Sequence, residues 1–155
     1  MAQFKDLSSL EKYLTQVIGE ISSNSMDLED KMSETMREAV IDIVYNAYSP
    51  TQYKRRGDDG GLSDTDNMII TSADMRNGKV LLTFENITSG VDTLVGKRLD
   101  ETINDGIKDN WANPNGSWSE PRPFIEETRE RLQQKSGELA RELEKELKRA
   151  GFKTR

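Results

Sequence analysis

Lys54, Arg55 and Arg56 form the basic cluster that has aromatic neighbours, Tyr48 and Tyr53, a combination able to neutralise phosphate and stack on bases. Asp58 and Asp59 follow at once and cancel most of that field, so arginines that anchor their own loop to carboxylates or carbonyls account for the cluster better. Asp64-Thr65-Asp66-Asn67 offers oxygen atoms to a hard cation, but the spaced ligands and terminal bidentate Glu of a calcium loop are missing. A capped turn leading into a strand explains it better. Gly57, Gly60 and Gly61 make no phosphate-binding fingerprint, because no strand precedes them and no Gly-Lys-Ser or Gly-Lys-Thr follows. Carboxylates are plentiful enough for a glycosidase-like pair, yet nothing singles out two of them. Trp111 and Trp118 have the size to line a ligand pocket, although large aromatics beside a Pro-rich helix start more often anchor a core or an interface. With no histidine and no cysteine, disulfides, thiolate or imidazole metal sites, and dyads or triads built on those side chains are excluded. These residues assemble no catalytic constellation, and the expectation is a non-enzymatic protein with no metal and no cofactor.

The elements that must position these residues read as an α+β protein: N-terminal helices, a small antiparallel sheet built on a β-hairpin, and a long C-terminal helix packed across it. Residues 1–155 make one domain. N-terminal helices are expected over 8–48, an extended loop over 49–66, the hairpin over 67–88, a variable loop over 89–118 and the C-terminal helix over 119–151. Ser8 and Glu11 fit a capping box in front of the stripe Leu10, Leu14, Val17, Ile18 and Ile21. Ser22-Ser23-Asn24-Ser25 breaks the pattern, and Ser25 or Asp27 can cap a second helix carrying Leu28, Met32, Ala39, Val40, Ile43, Val44 and Ala47. Asn77-Gly78 between two apolar runs specifies a tight hairpin, since both central residues of a type I′ turn need positive φ. Leu99, Ile103 and Ile107 suit a short helix.

The C-terminal helix is the most legible stretch. Phe124, Thr128, Leu132, Ser136, Leu139, Leu143, Leu147 and Ala150 recur every three or four residues and make one apolar stripe about 40 Å long. Glu127 with Arg131 and Glu144 with Lys148 are one turn apart, and Gly151 followed by Phe152 suits a Schellman stop. Apolar residues are 34% and charged residues 32%, a lean core that fits subunits finishing one another's burial. The first residues lack the apolar run of a signal peptide, no stretch is long enough to span a bilayer, and the net charge of -6 argues for solubility and against nonspecific nucleic-acid binding.

Tyr48, Pro50, Tyr53, Arg55 and Arg56, then Gly60-Gly61-Leu62 and Asn67, and Arg122-Pro123-Phe124 opening a charged C-terminal helix, together resemble the tail-completion or neck family of long-tailed bacteriophages, which includes head-tail joining and minor tail proteins. The order of parts matches over most of the chain. The resemblance implies a non-enzymatic structural virion protein that forms a ring at the head-tail junction. Its partners would be copies of itself in a hexamer or dodecamer, portal or connector-side and tail-side virion proteins, and DNA passing through the lumen without specific binding, with no membrane. Its location would be the neck or tail of the virion, and the host cytoplasm during assembly. Interface contacts are expected at Tyr48, Tyr53, Arg55, Arg56, Leu62, Trp111, Trp118, Arg122 and Phe124. A tail terminator ring protein of the same particle, and a small nucleic-acid-binding module using Lys54, Arg55 and Arg56, are the alternative readings.

Overall fold

A computed structural model describes residues 6–47, 49, 54–76, 79–90, 98–106 and 120–153. The α+β architecture is as expected, with five α-helices and a two-stranded antiparallel sheet among the described residues. Helix α1 (Leu7–Ser23) opens on a capping box, but two residues upstream of the expected one: Asp6 accepts from the Ser9 amide at 2.7 Å, and the Ser9 hydroxyl accepts from the Asp6 amide at 3.2 Å. A carboxylate at the positive helix end makes the stronger, charge-assisted bond, which is why Asp6 takes the position from Ser8. Helix α2 (Met26–Ala39) starts at Ser25, whose hydroxyl accepts from the Leu28 amide.

The chain continues from α2 into a π-helical stretch, Val40–Tyr45, closed by a bond from the Asn46 amide to the Ile41 carbonyl at 2.9 Å. The widened turn keeps Val40 and Val44 in the core while Tyr45 faces the following loop. Apolar periodicity alone reads as a continuous α-helix here.

Strands β1 (Met68–Arg76) and β2 (Lys79–Asn86) pair from Met68↔Asn86 to Arg76↔Lys79, so the hairpin forms where expected. The Asn77-Gly78 turn itself lies outside the described residues. Thr71 is the extra residue of a bulge between Ile70 and Ser72. One face of the sheet turns Ile70, Leu82 and Phe84 onto Leu28 and Met32 of α2. The outer edge of β1 is satisfied by α2 side chains: the Ser33 hydroxyl donates to the Met68 carbonyl at 3.1 Å, and the Glu29 carboxylate accepts from the Ile70 amide at 2.9 Å. Helix α1 lies along β1 through its small residues. Gly19 and Ser22 are buried, and a Cβ on Gly19 would stand 3.1 Å from the Ala73 carbonyl oxygen.

Helix α3 (Leu99–Asp105) ends on Gly106, whose φ of 72° stops it, while Ile107 lies outside the described residues. The long C-terminal helix is in fact two, α4 (Phe124–Gln134) and α5 (Ser136–Arg149), interrupted at Lys135. Ser136 and Gly137 are weak helix formers, and a Ser/Gly pair is a common place for a helix to break. The stop is as expected: the Phe152 amide donates to the Leu147 carbonyl and the Gly151 amide to that of Lys148, with Gly151 at φ 90°.

Helix α2 with its π extension runs antiparallel to α4 and α5, and four ion pairs tie the two together: Asp42 with Arg131 at 2.8 Å, Glu38 with Lys135 at 3.4 Å, Lys31 with Glu142 at 3.7 Å and Asp27 with Arg149 at 3.3 Å. Between them the main core gathers Met36, Val40, Val44, Leu62, Met68, Ile103 and Phe124.

Candidate functional site

The arginine loop is a folded object. Residues 54–64 turn on Gly57 and Gly60, both at positive φ, and on Gly61, where a Cβ would fall 2.4 Å from the Gly57 carbonyl oxygen. Only glycine fits Gly61. The glycines therefore answer to backbone packing. Asp64 accepts from the Gly60 amide at 2.7 Å and from Asp66 at 3.0 Å, capping the 3-10 turn Thr65–Asn67 that leads into β1, as expected for that acidic run.

Arg55 lies over the Tyr45 ring, 4.6 Å from its centroid, and donates to the Tyr45 carbonyl at 3.2 Å. The Tyr45 hydroxyl accepts from the Ser63 amide at 3.2 Å, so ring, carbonyl and hydroxyl of one residue all hold the loop. Arg56 donates to the Ser89 carbonyl at 2.7 Å. Both arginines are therefore engaged with carbonyls of their own chain, the anchoring role that the neighbouring aspartates pointed to. Asp58 accepts from Arg37 at 3.2 Å and from the Ser63 hydroxyl at 2.8 Å, and these bonds, Ser63 first, hold its carboxyl below the ordinary aspartate range.

Beneath the loop the buried polar groups satisfy one another. Asn86 donates to the Leu62 carbonyl at 2.9 Å, and the single proton of the Thr88 hydroxyl lies between Asn86 Oδ1 at 2.6 Å and the Gly61 carbonyl at 3.2 Å. Among the described residues no buried side-chain polar atom lacks a partner. Next to this layer Arg98 binds Asp100 at 2.8 Å, Glu85 at 2.9 Å and the Asn86 carbonyl. Asp100 and then Glu85 raise the Arg98 pKa further, and Arg98 in turn holds Glu85 below its usual value. The clamp joins the end of the hairpin to the start of α3.

The expected interface residues divide. Leu62 and Phe124 are core side chains, 4% and 0% exposed, so neither can meet a neighbouring subunit. Arg122 fastens its main chain to α3, its amide donating to the Ile103 carbonyl at 3.0 Å, while Asn104 caps α4 by accepting from the Ile125 amide at 3.1 Å. The Arg122-Pro123-Phe124 motif thus serves to plant Phe124 in the core. Tyr48, Tyr53, Trp111 and Trp118 lie outside the described residues. Sequence reasoning missed Arg37, Tyr45, Asn86, Arg98 and Asn104, each of which has a partner ten or more residues away, at Asp58, Arg55 and Ser63, Leu62, Glu85 and Ile125 respectively. Among the described residues no group of acidic side chains is placed to hold a metal ion, and no helix is long and apolar enough to cross a membrane.

Fold and site together define a small α+β protein whose polar loop is stapled to a helix-covered hairpin. The YomN family model matches residues 6–149, nearly the whole chain, and this chain belongs to the YomN family. A relative within it is the SPbeta prophage-derived protein YomN of Bacillus subtilis (strain 168), 30% identical over 138 residues that cover 88% of each chain. No solved structure matches the chain.

Proposed function

We propose that this chain is a non-enzymatic structural component of a phage particle, and that it acts as a ring subunit at the junction of head and tail. The prophage origin of the relative supports the phage assignment. The observation that carries the structural role is the lean composition, 34% apolar residues against 32% charged, since the leucine stripe of α5 is already partly covered within the chain, where Leu139 packs on Leu28, Met32 and Ile70. A chain with so small an apolar share fits a subunit that finishes its burial on assembly. The engagement of Arg55 and Arg56 with their own backbone weighs against the nucleic-acid module.

The test is a phage or induced prophage carrying this gene with an early stop codon. Filled heads and separate tails that fail to join are the expected products, and imaging of wild-type particles should place the subunit at the neck. Normal infectious particles from the mutant would overturn the proposal.

A further inference from the structure

The apolar interior is divided in two. The main core takes α4, whose Phe124 and Thr128 are buried, whereas Leu28, Met32 and Ile70 form a second cluster against which Leu139 of α5 packs. None of the fourteen α5 residues is fully buried, and Leu139, Leu143 and Leu147 are half-buried where the helix lies on α2 and α1. Two ion pairs tie it to α2, Lys31 with Glu142 and Asp27 with Arg149. Lys31, Asp27 and Arg149 are exposed, and pairs of that kind contribute little and are screened by salt. Three further pairs run along α5 itself, Glu142 with Lys145, Glu144 with Lys148 and Glu146 with Arg149, and favour its helical form whether or not it is docked.

The join to α4 supplies a pivot. Lys135 is held to α2 by Thr35 and Glu38, while the next two residues, Ser136 and Gly137, are exposed and a Gly137 Cβ would meet open space. A helix docked this lightly, next to one anchored in the core, opens at lower cost than the molecule as a whole. We propose that α5 is a strap that lifts from α2 as a unit about Ser136 and Gly137, uncovering the cluster of Leu28, Met32 and Ile70 while Phe124 keeps α4 in place. The strap is a property of the single chain and does not rest on the ring reading.

The chain has no cysteine, so a thiol placed in either cluster reports when that cluster opens. Met32, in the second cluster, is 5% exposed and Val40, in the main core, 0%. In the full-length native protein, Met32→Cys should be alkylated by iodoacetamide at a rate that dilute urea hardly changes, because a local opening exposes little surface. Val40→Cys should react more slowly and with the urea dependence of global unfolding. Asp27→Asn cuts one tie and should speed the labelling of Met32→Cys about two- to fivefold. Ile103→Val weakens the main core, where Ile103 is 4% exposed, and should speed Val40→Cys about two- to tenfold while leaving Met32→Cys unchanged. Equal urea dependence at the two thiols, no response of Met32→Cys to Asp27→Asn, or an equal response of both to Ile103→Val would overturn the strap. If a cysteine variant fails to fold, hydrogen exchange on the unsubstituted protein decides. The α5 amides should then exchange together and faster than those of α2, and equal protection of the two helices would overturn the proposal.

Discussion

Lys135 interrupts the C-terminal helix and reaches across to α2, where its ammonium stands 3.1 Å from the hydroxyl of Thr35. Thr35 is 1% exposed and already donates to the Lys31 carbonyl at 2.8 Å, so its remaining lone pair receives the lysine. Lys135→Met keeps the aliphatic stem and removes the donor. It should lower unfolding free energy by about 1 kcal/mol in a denaturant titration, the size of one partly buried hydrogen bond. The neighbouring Gly137 has open space around its missing Cβ and needs no positive φ. Gly137→Ala should therefore stabilise by about 0.5–1 kcal/mol.

Gly61→Ala has the opposite sign. Its Cβ would overlap the Gly57 carbonyl and amide, and both belong to backbone that cannot swing aside. A loss of more than about 2 kcal/mol is expected by thermal unfolding. Gly57→Ala meets no atom and suffers only its φ of 58°, for about 1–2 kcal/mol.

Phe124→Ala empties the centre of the main core, where Phe124 is 0% exposed. The expected cost is about 3–5 kcal/mol. If the motif served mainly as an exposed contact, the stability of the isolated chain would hardly change, and equilibrium denaturation separates the two.

Arg55→Ala should lower stability by about 1–2 kcal/mol through the lost Tyr45 carbonyl bond and ring contact. Tyr45→Phe should lose about 1 kcal/mol through the Ser63 amide. Neither change should alter retention on a DNA column at low salt. A salt-sensitive drop in retention for Arg55→Ala would revive the nucleic-acid reading.

Acid sensitivity follows from Glu85 and Asp58, whose folded pKa values lie below their ordinary 4.5 and 3.8. A lowered carboxylate pKa contributes stability that is complete above the unfolded value and is lost as pH falls through the folded one. Stability should hold down to about pH 4.5 and then fall. With no histidine, no side-chain step is expected between about pH 6 and 8. Arg98→Met should return the Glu85 titration, followed by carboxyl NMR, toward 4.5.

The parts of this fold that local chemistry dictates are legible in the sequence. Asn77-Gly78 between apolar runs gives the hairpin, Ser25 caps α2, Asp64 caps the turn before β1, and Leu147, Gly151 and Phe152 make the helix stop. What escapes are choices made by distant groups. The break at Lys135 faces a hydroxyl on another helix, α4 borrows its cap from Asn104, and the π turn satisfies Tyr45's three contacts with a loop. The arginines were readable as anchors because acids follow them directly. Phe124 was misread as a surface contact because an aromatic at a helix start looks alike whether it faces a neighbour or its own interior.

The ladder of ion pairs between α2 and the C-terminal helices reverses sign along its length: acid meets base at Asp42, Glu38 and Asp27, but Lys31 meets an acid at Glu142. Sliding one helix past the other by two turns would set Lys31 against Lys135 in one direction and Glu38 against Glu142 in the other. Apolar stripes tolerate such a slip, because leucines look much the same from one heptad to the next. Like charges in contact do not. The one reversed rung therefore works as a key that admits a single alignment while the chain folds, whatever little it adds to the depth of the final well.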